Sequence, residues 1–220
     1  MRETPGKTPS FLTGSAKNPT IKYIFELRRL DMPKELWKPG TLLAPVPAVL
    51  VTVRDTDGRP NVMTAAWAGT VCSDPAMVSV SIRKERYTHH ILKETGEFVL
   101  NLTNRKLVRA TDYCGVRSGR TEDKFAACGL HTEEGRTVAA PSIQESPIAL
   151  ECKTEQVLEL GSHDMFLGRI TAVLVDPKLL DEKGRLALEK ADLIAYSHGM
   201  YFELGRLLGT FGFSVKKIKS

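Results

Sequence analysis

At 220 residues with 42% hydrophobic side chains, the chain can bury a sizeable core and is expected to form one compact domain with extensions. Its 31 basic and 26 acidic residues leave a net charge of +5, yet the two signs are interspersed, with no aromatic ladder, zinc finger or strongly basic helix. A nucleic-acid-binding barrel would rest on charge alone. No apolar run reaches about 18 residues and MRETPGKTPS lacks a signal-peptide pattern, so a cytoplasmic protein without membrane attachment is expected.

Residues 1 to about 19, interrupted by Pro5, Gly6, Pro9, Gly14 and Pro19, read as a loose arm, and Ile21–Leu30 has a helical pattern. A strand is predicted over Pro47–Val53, turning at Asp57-Gly58 into a second strand over Asn61–Trp67. Met77–Ile82 alternates, with Val78, Val80 and Ile82 on one face and Met77, Ser79 and Ser81 on the other. Thr88 is placed to cap a helix through His89, His90, Ile91 and Leu92. A strand over Phe98–Leu102 precedes a short helix over Asn104–Tyr113, with Leu107, Val108 and Ala110 available for packing. The glycine-punctuated Gly115–Gly119 and a second short helix over Glu122–Ala127 follow. Ile148–Leu160 and Met165–Val175 are long strand candidates joined through Gly161-Ser162-His163-Asp164, and Asp192–Tyr196 and Met200–Leu204 complete the pattern. About seven strands with inserted helices, and no strict strand–helix alternation, predict a mainly β fold: a closed antiparallel barrel rather than a doubly wound parallel sheet.

The stretch from Asn61 to Thr88 carries the chemistry. Thr64, Ala65, Ala66 and Ala68 keep backbone N–H groups close to whatever lies over them, where bulky side chains would hold a flat ring away. Arg83, Lys84 and Arg86 gather at the strand's end just before the helix, so cations and free helix N–H groups converge where a phosphate could sit. Each residue also has a plainer role open to it. Trp67 could be a packed aromatic, Arg83 a solvated strand-end charge, Lys124 a surface lysine and His163 a turn histidine, and at most one of His89 and His90 can face a ligand. The four cysteines, Cys72, Cys114, Cys128 and Cys152, form no CxxC pair and no zinc-like spacing with the histidines, which reads as ordinary thiols of a reducing compartment and no metal site. Cys72 lies within the ligand-binding stretch. Cys72, Tyr113 and Tyr196 are weak candidates for the site.

The same stretch resembles the flavin reductase-like, FMN-binding split-barrel family, and within it the flavoredoxin group. The resemblance begins near Thr41 in TLLAPVPAVLVTVRD and continues through DGRPNVMTAAWAG, CSDPAMVSVSIR, RYTHHILKETGEFVLNL, DYCGVRSGR, DKFAACGL, ALEC and GSHDMFLGRI to LGTFGFSVKK. It leaves residues 1–40 as a partly flexible extension and makes 41–220 the flavin-binding domain. The resemblance implies a Greek-key split β-barrel that forms a homodimer, with FMN at or near the subunit interface. It implies that Asn61, Met63, Thr64, Ala65, Ala66 and Trp67 lie along the isoalloxazine and its polar edge, and that Ser81, Ile82 and Arg83 continue the site. Thr88 and Lys124 would contact the phosphate end, and His163 would belong to the flavin or nicotinamide pocket.

Hydride transfer between a nicotinamide and a flavin needs stacked rings and no protein nucleophile, since the cofactors supply the reactivity. The sequence has no P-loop, GxSxG elbow or HExxH. It also has no GxGxxG, so NAD(P)H would bind transiently in an open flavin cleft. The expected function is an FMN-binding flavoredoxin or flavin reductase that moves electrons from NAD(P)H or a protein donor to flavin or another acceptor. The alternative is a non-catalytic flavin-binding carrier that exchanges electrons only with protein partners.

Overall fold

The computed structural model describes residues 34–215. The chain divides into two units, Met1–Thr41 and Leu42–Ser220. In the first, residues 34–41 are irregular and exposed; the expected arm and the helix over Ile21–Leu30 lie outside the described residues. The second unit carries all the regular structure described here.

It begins with β1 (Val46–Pro47) and β2 (Val49–Arg54), then β3 (Pro60–Ala65), β4 (Ala68–Ser73) and β5 (Ala76–Arg83). Helix α1 (Tyr87–Thr95) leads to β6 (Glu97–Leu102), and α2 (Val108–Val116) and α3 (Lys124–Cys128) follow. After β7 (Thr132–Glu133) and β8 (Ser142–Ile143) come the long β9 (Ile148–Glu159) and β10 (His163–Val175), then β11 (Ile194–Ser197) and β12 (Met200–Glu203). Seven strands form one antiparallel sheet in the order β3-β2-β6-β9-β10-β5-β4. This ladder does not close on itself. Its two end strands, β3 and β4, are joined through Ala66 and Trp67, where the chain bends instead of pairing. The expected closed barrel is therefore an open, split one.

Local chemistry explains the elements. The β-branched run of β2 is buried on both faces, as suits a central strand, and β5 alternates as its sequence predicts, with Val78, Val80 and Ile82 inside. The β2–β3 turn is held by Asp55, whose Oδ1 accepts from the N–H groups of Asp57 (3.1 Å) and Arg59 (2.8 Å), and Gly58 takes φ 83° there, a value that favours glycine. Asn104 caps a 3-10 turn that opens α2, accepting from Lys106 and Leu107 N–H groups, and Asp123 caps α3 in the same way. One expectation fails. Thr88 is not the N-cap of α1: that position is Arg86, with no side-chain cap, and Thr88 lies inside the first turn.

Two of the four apolar clusters among the described residues frame the site. The inner one joins Val49, Val51 and Val53 to Val78, Val80, Ile82, Phe98, Leu100 and Phe166, and α1 contributes Ile91 and Leu92. The outer one packs α2 and α3 against β2 and β3 through Leu50, Val62, Leu107, Cys114, Phe125, Leu130 and Ile143. Their packing sets the ends of β3, β5, α1 and α2 around a common opening.

Candidate functional site

A cleft of about 410 Å³ opens where β3 ends and β4 begins. One part of its wall carries little or no side chain, at Ala48, Ala65, Ala66, Gly115 and Gly199, with Met63, Thr64 and Ser81 beside them. The bend that separates β3 from β4 turns Trp67 outward at 43% exposure. Its carbonyl accepts from the Ser81 N–H at 2.8 Å, which ties the bend to β5. Thr64 Oγ1 donates to the Thr111 carbonyl. This fixes α2 so closely over β3 that a Cβ on Gly115 would lie 3.4 Å from Thr64 Cβ.

Polar groups ring this cleft. Arg83 and Arg86 stand on one side with His163, which pairs in register with Arg83 across β5 and β10. Burial lowers the His163 pKa from its ordinary value, and Arg83 adds to the effect. Opposite them, Tyr201 donates to Asp112 Oδ1 at 3.4 Å and meets Tyr196 edge to face with centroids 5.4 Å apart. Burial and the Asp112 carboxylate push the Tyr201 phenol up to about 12, so it stays a donor at neutral pH.

A second cavity, of about 520 Å³, shares Met63, Arg83 and Arg86 with the first and continues past Thr88 to Lys124. Its other lining groups include Asn61, Arg117, Ser118 and Gly119, and the one carboxylate among them is Glu85. Four cations therefore face a space with a single acid. Lys124 is only 4% exposed, and its Nζ donates to the carbonyls of Cys114 (3.3 Å) and Arg117 (3.2 Å) at the end of α2. Burial pulls its pKa below the ordinary lysine value; Arg86 acts in the same direction, against the opposing influence of Cys114, Cys128 and Glu122. Asn61 Nδ2 donates to Thr88 Oγ1 at 2.7 Å, and a Cβ on Gly119 would fall 1.9 Å from Asn61 Oδ1. Only a glycine lets that loop approach so closely.

Of the residues singled out in the sequence, Met63, Thr64, Ala65, Ala66, Trp67, Ser81, Arg83 and His163 line the cleft, and Asn61, Met63, Arg83, Thr88 and Lys124 line the second cavity. Ile82 does not. Its side chain is fully buried in the inner core, because alternation along β5 sends it to the face opposite Ser81. Neither His89 nor His90 lines either cavity. His89 is buried, with Nε2 2.8 Å from Asp164 Oδ2, while His90 is exposed. Lys124 is no surface lysine. Sequence reasoning missed Asp112, Gly199 and Tyr201 in the cleft and Arg117, Ser118 and Gly119 in the second cavity; the glycine-punctuated GVRSG segment was the available signal for the last three.

The chain belongs to the flavin reductase like domain family, whose sequence pattern matches residues 42–205. Its fold is similar to that of the flavoredoxin of Desulfovibrio vulgaris (Miyazaki F), at a TM-score of 0.78 and 38% identity, covering 84% of this chain and 100% of that one. It is also similar to an FMN-binding protein from Thermus thermophilus, at a TM-score of 0.64 and 29% identity, covering 78% of this chain and 94% of that one. A protein of Archaeoglobus fulgidus is 37% identical over 115 residues, which span 52% of this chain and 65% of that relative, slightly under two thirds of its length. The fold is thus the split barrel of flavin reductase-like proteins, and no described helix is long and apolar enough to cross a membrane.

Proposed function

We propose that this protein binds FMN across the two adjoining cavities and works as a flavin-dependent oxidoreductase, moving electrons from NAD(P)H or a protein donor to flavin or another acceptor. The observation that carries this reading is the junction itself: a cleft with one wall of small residues meets a cationic cavity through Arg83 and Arg86. The donor set fits a phosphate ester. Lys124 is buried and lines the cavity together with Thr88, Ser118 and three arginines, and an anion there would relieve the cost of burying that charge. The cleft fits a flat ring for the opposite reason, since Ala65, Ala66 and Gly115 leave the backbone uncovered.

In this reading Lys124, Arg86, Arg117, Thr88 and Ser118 hold the phosphate, and Asn61 fixes Thr88. Met63, Thr64, Ala65, Ala66, Trp67 and Ser81 line the ring, with His163 and Arg83 at its edge. Bound FMN would supply the two-electron chemistry. The chain's own part is to orient the ring and to keep positive charge at its edge through Arg83 and Arg86. The Thermus thermophilus FMN-binding protein supports the choice of flavin, and the Desulfovibrio flavoredoxin supports a redox role. Four free cysteines are consistent with a cytoplasmic setting.

We also propose a homodimer, supported by the large apolar side chains left exposed at Val71, Leu207, Leu208 and Phe211; light scattering of the eluted protein tests it. The function is tested by the visible spectrum of the purified protein, followed by anaerobic addition of NADH or NADPH. Flavin bands that bleach support the oxidoreductase. Bands that persist assign the donor role to another protein and favour a carrier. A colourless protein that cannot be reconstituted with FMN overturns the flavin reading.

A further inference from the structure

Lys124 is the one buried lysine among the described residues, at 4% exposure, and no carboxylate there pairs with it. The acids around it are engaged elsewhere. Glu122 accepts from the Tyr113 hydroxyl and faces Arg117 at 3.8 Å, Asp123 caps α3, and Glu85, across the cavity, faces Arg83 at 3.4 Å. A lysine buried without an acid is uncommon. Within the described residues Nζ bonds only to two acceptors, the carbonyls of Cys114 and Arg117. A neutral amine satisfies both with its two N–H groups and keeps a lone pair that no donor claims. The arginines that share the cavity, Arg83, Arg86 and Arg117, hold their charge at any physiological pH and can fork onto phosphate oxygens. The cavity thus sets an anion seat beside an amine that desolvation drives toward its nucleophilic form.

We propose that Lys124 is an acylation site for small acyl phosphates, which dock by their phosphate on the cavity's arginines and pass the acyl group to Nζ. The Nζ lone pair forms a C–N bond to the carbonyl carbon. The C–O bond to phosphate breaks, its electron pair leaves with the phosphate, and the proton shed by Nζ goes to that phosphate. No oxidant or reductant takes part. Docking raises the local concentration of the carbonyl at the amine, and the arginines favour a departing phosphate. Burial lowers the Lys124 pKa from its ordinary value, so its neutral form is populated at a lower pH than that of an exposed lysine. The product amide carries no charge and fills part of the cavity of about 520 Å³, which closes the seat to a second anion. An occupied seat in turn shields the amine, so ligand and modification exclude each other. The consequence for FMN rests on the function proposed above; the acylation does not.

The full-length protein, freed of small molecules by high-salt dialysis and still cooperative in a thermal melt, is exposed to acetyl phosphate, and acetylation is mapped by peptide mass spectrometry. Lys124 should be labelled several-fold faster than the exposed Lys106 and Lys178, and its rate should level off at a lower pH than theirs. Inorganic phosphate should slow Lys124 alone. Acetic anhydride, which brings no phosphate, should favour the exposed lysines instead. Arg86→Gln should slow the labelling of Lys124 by acetyl phosphate several-fold and leave the exposed lysines unchanged. Lys124 labelled no faster than the exposed lysines overturns the proposal. So does a preference for Lys124 that inorganic phosphate and Arg86→Gln both leave untouched, since the phosphate seat would then play no part. FMN should protect Lys124 as phosphate does, and the acetylated protein should bind FMN many-fold more weakly. Protection by phosphate but not by FMN would instead sink the placement of FMN in this cavity and leave the acylation site standing.

Discussion

The cleft and the cationic cavity adjoin, yet they are built on opposite principles. The cavity works through long side chains brought from three places: Arg83 and Arg86 around the β5–α1 corner, Arg117 after α2, and Lys124 at the start of α3. The cleft works through side chains that are missing, at Ala48, Ala65, Ala66, Gly115 and Gly199. One region is damaged by deletion and the other by addition, so substitutions can separate them. On the side of both that α1 and β10 form, the buried contact between His89 of α1 and Asp164 of β10 ties the helix to the strand that carries His163.

The largest effect is therefore expected at that tie. Asp164 is 1% exposed and also faces Lys84 Nζ at 3.3 Å. Burial works to raise its pKa, but the His89 hydrogen bond and the Lys84 charge outweigh it and the carboxyl lies below its ordinary value. Asp164→Ala should cost about 3 kcal/mol in denaturant melts, because it leaves the buried His89 ring without its carboxylate. Since the folded pKa is depressed, this stabilisation is present above the unfolded carboxyl pKa and fades as pH falls through the folded one. The gap between wild type and Asp164→Asn should accordingly narrow in acid. A constant gap would mean the carboxylate's charge is irrelevant.

Next comes the cavity alone. Lys124→Met should weaken FMN binding by about 2 kcal/mol, the scale of a charged hydrogen bond, measured by flavin fluorescence quenching, with the cleft residues unchanged. A bound phosphate favours the protonated ammonium, and burial has already lowered that pKa in the free protein. Wild-type affinity should therefore fall as pH rises through a value below that of an ordinary lysine, and Lys124→Met should lose this limb. A wild-type profile flat to about pH 10 would remove Lys124 from the site.

Gly119→Ala probes the close approach behind the cavity. Its Cβ would collide with Asn61 Oδ1, displacing the Asn61–Thr88 bond, and about 1 kcal/mol should be lost from both stability and FMN affinity. Unchanged values would show that Asn61 moves aside freely. The smallest effect belongs to the cleft. Tyr201→Phe removes one long hydrogen bond to Asp112 and should change FMN affinity by no more than about 0.5 kcal/mol. Ala66→Val, which adds bulk there, should by contrast lower affinity while the thermal midpoint stays in place. A larger drop from Tyr201→Phe than from Ala66→Val would reverse the comparison between the regions.

The sequence by itself determined most of the long strands, though it carried the second one through Ala66 and Trp67, where the chain bends, and did not separate β4 from it. The alternation of Met77–Ile82 fixes which face of β5 is buried, and Asp55 through Arg59 is a turn by local hydrogen bonding alone. Such features depend on neighbours within a few residues, so they are legible in one dimension. Even there the limit was close: the same alternation that buries Val78 and Val80 takes the Ile82 side chain away from the cleft.

Only the tertiary structure decided that Lys124 is buried, that Thr88 is an acceptor for Asn61 rather than a cap, and that Asp112 and Tyr201 meet at the cleft. Each depends on groups far apart in the chain, 27 residues for Asn61 and Thr88 and 89 for Asp112 and Tyr201. Their positions come from how α2 and α3 pack on the outer face of β2 and β3 and how the β11–β12 hairpin reaches the cleft. A buried charge and a bridging hydrogen bond are products of desolvation and long-range packing, and neither leaves a periodic trace in the sequence.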